Sequence, residues 1–175
     1  MNRRDLLLSA LGLTGLALVG RRFAAAASPA AATATAEFEP LKKDLDEWRS
    51  LLDRAQFEVL FKEGTERPFS SPLNDEKRSG TFLCAACYLP LFSSETKYDS
   101  GTGWPSFFDV LPGRIGTKTD FKIGYPRTEY HCVRCGGHQG HIFKDGPRPT
   151  GLRYCNNGVA LRFVPSGEAL PELRT

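Results

Sequence analysis

Four of the five cysteines fall into two Cys-x-x-Cys pairs, Cys84-Ala85-Ala86-Cys87 and Cys132-Val133-Arg134-Cys135. No other feature limits the possible folds as much. Each such turn points two thiolates at one centre, and two turns complete a tetrahedron around zinc at about 2.3 Å per bond. The 44 residues between Cys87 and Cys132 are too many for an ordinary zinc ribbon. The metal would therefore join two distant hairpins of one domain. Two other readings compete: disulfides within each pair, as export would permit, and a thioredoxin-like redox pair, for which the surrounding βαβ pattern is missing. A shell closed by four thiolates has no open position, so a Zn2+ bound by Cys84, Cys87, Cys132 and Cys135 braces the fold rather than catalyses. The His-x-Glu signature of the zinc deaminases is absent.

The fifth cysteine, Cys155, lies in Arg153-Tyr154-Cys155-Asn156-Asn157-Gly158. Most free cysteines are small buried hydrophobes. These polar flanks do not make an apolar strand interior, and a nearby guanidinium favours the thiolate, the form that attacks. Cys155 is therefore a candidate nucleophile.

The first thirty residues do not belong to the core. Paired Arg3 and Arg4 precede an apolar run from Leu6 to Val19, and small residues fill Ala24 to Ala27. A basic start, an apolar stretch and a small-residue end describe an export signal over residues 1–27. The run is too short for a transmembrane anchor, which takes about 20 apolar residues. The twin arginines resemble the Tat signal, which carries folded proteins to the periplasm and suits a metal site loaded in a reducing cytoplasm. Residues 28–40, rich in Ala, Thr and Pro, form a flexible linker. The leader also accounts for the charge. The chain has 23 Lys+Arg against 20 Asp+Glu, and residues 1–26 hold four arginines and one aspartate, so the remainder is near zero. Without a basic face, nucleic-acid binding loses its electrostatic drive. The processed chain is expected to be a monomer with no membrane attachment.

Residues 41–166 form the domain, followed by a tail over 167–175. Leu45, Trp48, Leu51, Leu52, Phe57, Leu60 and Phe61 recur at helical spacing, predicting two short helices parted near Leu52–Ala55, with Trp48 in the core. From Thr81 onward short strands separated by Gly, Pro and Asp predict a mainly β module. Between the knuckles, Gly101-Thr102-Gly103-Trp104-Pro105-Ser106-Phe107 sets two large aromatics in a glycine-rich loop. Trp104 and Phe107 could wall a small apolar ligand group or tether the loop to the core. His138 and His141 follow the second knuckle. Strand alternation would separate neighbouring side chains by face, but Gly140 upsets it. With four cysteines filling the metal shell, both imidazoles are free to supply protons near neutral pH. His131 is expected at the surface.

Together these motifs resemble the B-type methionine-R-sulfoxide reductases. The matches are Gly64-Thr65-Glu66-Arg67-Pro68-Phe69, both Cys-x-x-Cys pairs, Gly103-Trp104-Pro105-Ser106-Phe107, His138-x-Gly140-His141 and Arg153-Tyr154-Cys155-x-Asn157. The resemblance implies two antiparallel sheets (a β-tent) braced by a structural zinc, with short N-terminal helices. It implies that Cys155 attacks the sulfoxide sulfur and becomes a sulfenic acid, that His138 and His141 protonate the oxygen, that Asn157 orients them and that Arg153 favours the thiolate. Trp104, with Phe107, would contact the substrate. Oxidised proteins or peptides would be the substrates, in repair of oxidative damage. Many members carry a resolving cysteine where this chain has Thr102, so regeneration would fall to thioredoxin or another external thiol. Gln139 replaces a usual leucine. The alternative is a non-catalytic binding module of the same zinc-braced fold, which would need neither Cys155 nor the histidines.

Overall fold

A computed structural model describes residues 39–175. The expected leader and all but the end of the linker lie outside the described residues. Among those described, no helix is long and apolar enough to cross a membrane.

Among the described residues two short α-helices come first, α1 (Leu45–Leu51) and α2 (Arg54–Lys62). Aspartates set both starts. Asp44 Oδ1 accepts from Glu47 N at 2.8 Å, and Asp53 Oδ1 accepts from Gln56 N at 2.8 Å, each inside a reciprocal capping box. Capping at Asp53 requires an extended backbone there, which ends α1 and re-aims α2. Their apolar faces meet through Trp48, 2% exposed and stacked on Phe61 at 4.8 Å.

Nine strands follow: β1 (Gly80–Cys84), β2 (Pro90–Ser93), β3 (Lys97–Tyr98), β4 (Ser106–Phe107), β5 (Ile115–Asp120), β6 (Arg127–Cys132), β7 (His138–Phe143), β8 (Arg153–Asn156) and β9 (Leu161–Pro165). They form two sheets, in the orders β2-β1-β9 and β3-β4-β8-β7-β6-β5. Every pairing is antiparallel. The mainly β fold of two antiparallel sheets with N-terminal helices is thus present. Its core is aromatic: Phe92 of β2 stacks on Phe107 of β4 at 4.1 Å, and Phe82 of β1 meets Phe107 edge-on at 5.0 Å. Offset and edge-on ring pairs add to the area buried.

The knuckles join the two sheets. Cys84 ends β1 of the smaller sheet, and Cys132 ends β6 of the larger. Residues of the C-terminal tail return to this junction: Arg174 N donates to the Cys87 carbonyl at 3.2 Å, and Arg134 Nη1 donates to the Arg174 carbonyl at 2.7 Å.

Candidate active site

Strand register sorts the site from the core. Ser106 pairs with Cys155, and Phe107 with Tyr154. Paired residues share a face and successive residues alternate, so Phe107 and Tyr154 turn toward the aromatic core while Ser106 and Cys155 turn away. This corrects the expected role of Phe107: at 0% exposure and stacked on Phe92, it cannot touch a substrate. Trp104, three residues earlier, does line the cavity beside Cys155.

That cavity measures about 110 Å³ and is also lined by Thr65, Arg127, His141, Phe143 and Asn157. Gly140 must be glycine, since a Cβ there would stand 1.9 Å from the Cys155 carbonyl oxygen. The irregularity in β7 lies one residue earlier. Tyr130 pairs with Gly140 and His131 with His138, which leaves Gln139 as the extra residue of a bulge. The bulge brings His138 and His141 together, ring centroids 5.5 Å apart. A second cavity of about 160 Å³ shares Thr65, Arg127 and His141 with the first, and His138 lines only this one.

Each imidazole is held by a carboxylate that sequence pattern did not single out. His141 Nε2 lies 2.7 Å from Asp120 Oδ2, and His138 Nδ1 lies 2.7 Å from Glu129 Oε1. Burial pulls the His141 pKa down against the opposing hydrogen bond that the ring donates to Asp120, so the ring is neutral near pH 7. His131, expected at the surface, is half-buried and shares Glu129, with Nδ1 at 3.0 Å. The expected partner of the histidines, Asn157, instead accepts from Glu66 N at 3.0 Å and donates to the Gln139 carbonyl at 3.0 Å. It ties the 64–66 segment to β7. Glu66 completes that tie by accepting from Gly158 N at 2.6 Å and Val159 N at 3.0 Å.

Cys155 is half-buried. Burial pushes its thiol up, while the Arg153 charge and hydrogen bonds from Thr102 and Arg153 pull the other way without reversing the shift. Arg153 is largely committed elsewhere, to both oxygens of Asp145 at 2.8 Å each, with its guanidinium 4.3 Å from the Phe143 ring centroid. The net direction is upward, which favours the thiol form of Cys155 near neutral pH. Thr102 belongs to a hydroxyl chain missed in the sequence, through Ser100 to Ser106 at 2.8 Å per link.

Glu129 makes a pH prediction. Burial raises its pKa, but hydrogen bonds from His131 and His138 outweigh that and hold it down at about 2, below the ordinary 4.5. The unfolded chain therefore binds the proton first as pH falls. Stability is complete above about 4.5 and drains away toward pH 2, by about 2 kcal/mol between pH 6 and pH 3. Urea midpoints at the two pH values measure this, and Glu129→Gln should flatten the difference.

The four knuckle sulfurs lie within 4.8 Å of one another and can hold a metal ion. Cys84 and Cys135 are 3.6 Å apart and Cys87 and Cys132 are 3.5 Å apart, near the edge of about 3.8 Å in a tetrahedron with metal–sulfur bonds of 2.3 Å. The donor set fits zinc. Gln139, displaced by the bulge, donates its amide N–H to Cys84 Sγ at 3.4 Å. Its backbone meanwhile binds Asn157 beside the site, so β7 spans both centres.

The SelR domain model matches residues 52–165, inside the domain expected over 41–166. A peptide methionine sulfoxide reductase MsrB of Pseudomonas putida is 51% identical over 128 residues, covering 73% of this chain and 96% of that protein. MsrB proteins of Methanosarcina barkeri and Agrobacterium fabrum are 51% and 50% identical, covering 70% and 71% of this chain and 87% and 92% of their own lengths. With a domain match over most of the chain and identities this high, the chain belongs to the SelR family of MsrB-type peptide methionine-R-sulfoxide reductases.

Proposed function

We propose that Cys155 reduces methionine-R-sulfoxide in peptides and proteins through a sulfenic acid. The observation that carries this reading is a half-buried thiol lining one small cavity with an indole, Trp104, and an imidazole, His141. His141 Nε2–H donates to Asp120, which leaves Nδ1 as an acceptor. It takes the Cys155 proton as Sγ attacks the sulfoxide sulfur and returns that proton to the oxygen. The methionine S–O bond breaks and the hydroxyl passes to Cys155. One thiol and one sulfoxide thereby give one sulfenic acid and one thioether, with Cys155 supplying both electrons. His138 is a positioning residue, held by Glu129 at 2.7 Å on the wall of the second cavity. Epimer choice follows from the walls: Trp104 takes the apolar S-methyl, His141 the oxygen, and Cys155 the remaining approach to sulfur. Incubating the mature chain with separated epimers and dithiothreitol tests this. The R form should disappear, and consumption of only the S form, or of neither, rejects it.

An external thiol then attacks the sulfenic acid, releasing water and leaving a mixed disulfide that a second thiol reduces. A thioredoxin-like protein fits that task. Thr102 lies within hydrogen-bonding reach of Cys155, so Thr102→Cys should form an internal disulfide after one turnover, seen as a mass loss of about 2 Da.

Cys84, Cys87, Cys132 and Cys135 would hold a structural Zn2+, which supplies cross-linking and no chemistry at Cys155. The twin-arginine leader supports export of a folded, metal-loaded monomer to the periplasm, where it would repair oxidised proteins. Cell fractionation with Arg3 and Arg4 changed to lysine tests the route.

A further inference from the structure

Single exposed apolar side chains need no explanation, but a concentration of them beside a cavity marks a binding surface. Among the described residues nine large apolar side chains are exposed, and three of these crowd into five positions: Phe121 at 66%, Ile123 at 50% and Tyr125 at 57%. They sit on the segment joining β5 to β6.

Both ends of that segment are built into the site. Asp120 holds His141 at 2.7 Å, Arg127 lines the Cys155 cavity, and Ile123 itself lines the histidine cavity. The nearby charges are matched within the fold. Lys122 pairs with Glu63 at 2.6 Å, and Arg127 pairs with Asp120. What the segment offers outward is therefore apolar. A further aromatic adjoins the loop that carries Trp104. Phe69 is 74% exposed, its φ is +61°, and its backbone N donates to the Gly103 carbonyl at 2.7 Å. A left-handed backbone is costly for so bulky a residue and is typically retained at functional surfaces.

The Cys155 cavity, about 110 Å³, takes the end of one side chain. The residues on either side of a bound methionine sulfoxide must then lie outside it, on the rim. We propose that Phe121, Ile123 and Tyr125, with Phe69 as a second contact, dock apolar residues flanking the sulfoxide in the substrate polypeptide. This deepens the reductase reading and rests on it. It assigns a substrate class: oxidised methionines within apolar sequence, the segments a folded protein keeps inside and exposes when damaged.

The test compares kcat/KM for two methionine-R-sulfoxide pentapeptides, one flanked by leucines and one by serines, with N-acetyl-methionine-R-sulfoxide as the unflanked reference. The wild-type chain should favour the leucine peptide by roughly tenfold, the scale of burying part of an apolar side chain. In Phe121→Ser/Tyr125→Ser that ratio should fall toward one, with circular dichroism confirming the fold; both side chains are exposed, so folding should survive. Equal ratios in wild type and variant overturn the docking proposal. So does a dimer that the substitutions dissolve while the peptide ratio stays unchanged, since the segment would then cover a second copy. Failure to reduce even the N-acetyl compound is a different result, and it overturns the reductase reading beneath.

Discussion

Cys155→Ser is expected to lower reduction of methionine-R-sulfoxide by at least about 10³-fold, with metal content and thermal midpoint unchanged. The size follows from chemistry rather than packing. A serine hydroxyl is close in volume to a thiol, but its oxygen is a far weaker nucleophile at neutral pH and cannot be oxidised to a sulfenic acid. The fold should not notice the change. Cys155 is half-buried, and the polar neighbours that act on its thiol, Arg153 and Thr102, can act on a hydroxyl as well. Nor should metal binding change, because the four knuckle sulfurs form a separate cluster without Cys155. The measurement is loss of the R epimer on a chiral column with dithiothreitol as reductant, beside zinc released to a chromophoric chelator. Turnover at the wild-type rate would refute the nucleophile assignment. Loss of metal together with activity would show that Cys155 acts through the fold instead. His141→Ala should cost roughly 10²–10⁴-fold, the range of a general acid–base contribution.

The parts of this molecule that could be read along the chain are those fixed by local chemistry. The two helices and the break between them follow from Asp44 and Asp53, whose capping boxes are sequence patterns. The cluster of four cysteines follows from Cys-x-x-Cys spacing, and the unpaired thiol from subtraction. Whatever depends on register was not legible. Trp104 and Phe107 look alike in a glycine-rich loop, yet β4 is only two residues long and one step of alternation sends Phe107 into the core. Along the chain Gly140 is the residue that suggests an irregularity in β7, but the residue that bulges is Gln139, because β6 sets the pairing. Asp120 and Glu129 carry no motif of their own, and only the antiparallel ladder from β5 through β7 brings them to the imidazoles. Arg153 sits in a recognisable motif, but its firm partner, Asp145, is found only in space.

Cys84→Ser is expected to abolish metal binding and leave a chain without a cooperative unfolding transition at physiological temperature. The magnitudes decide this. A structural zinc site contributes roughly 10–16 kcal/mol of apparent binding free energy, whereas a domain of this size has a total stability of about 5–15 kcal/mol. Losing most of the first quantity consumes the second. The position of Cys84 sharpens the expectation. It is fully buried at the end of β1, where its sulfur and that of Cys135 are 3.6 Å apart, so it links the smaller sheet to the knuckle at the end of β6 in the larger. Without the ion, the three remaining knuckle thiols crowd together in the interior with no cation to balance a thiolate. The Gln139 amide would also exchange a thiolate acceptor for a smaller, neutral hydroxyl, and Gln139 is the residue whose backbone carbonyl receives Asn157 beside Cys155. Damage should therefore reach the active face even in molecules that stay partly folded. Zinc stoichiometry, near-ultraviolet circular dichroism and a urea titration read the three consequences separately. A metal-free Cys84→Ser protein with a wild-type urea midpoint would show that the sheets hold each other without the ion, and that the knuckles serve something other than stability.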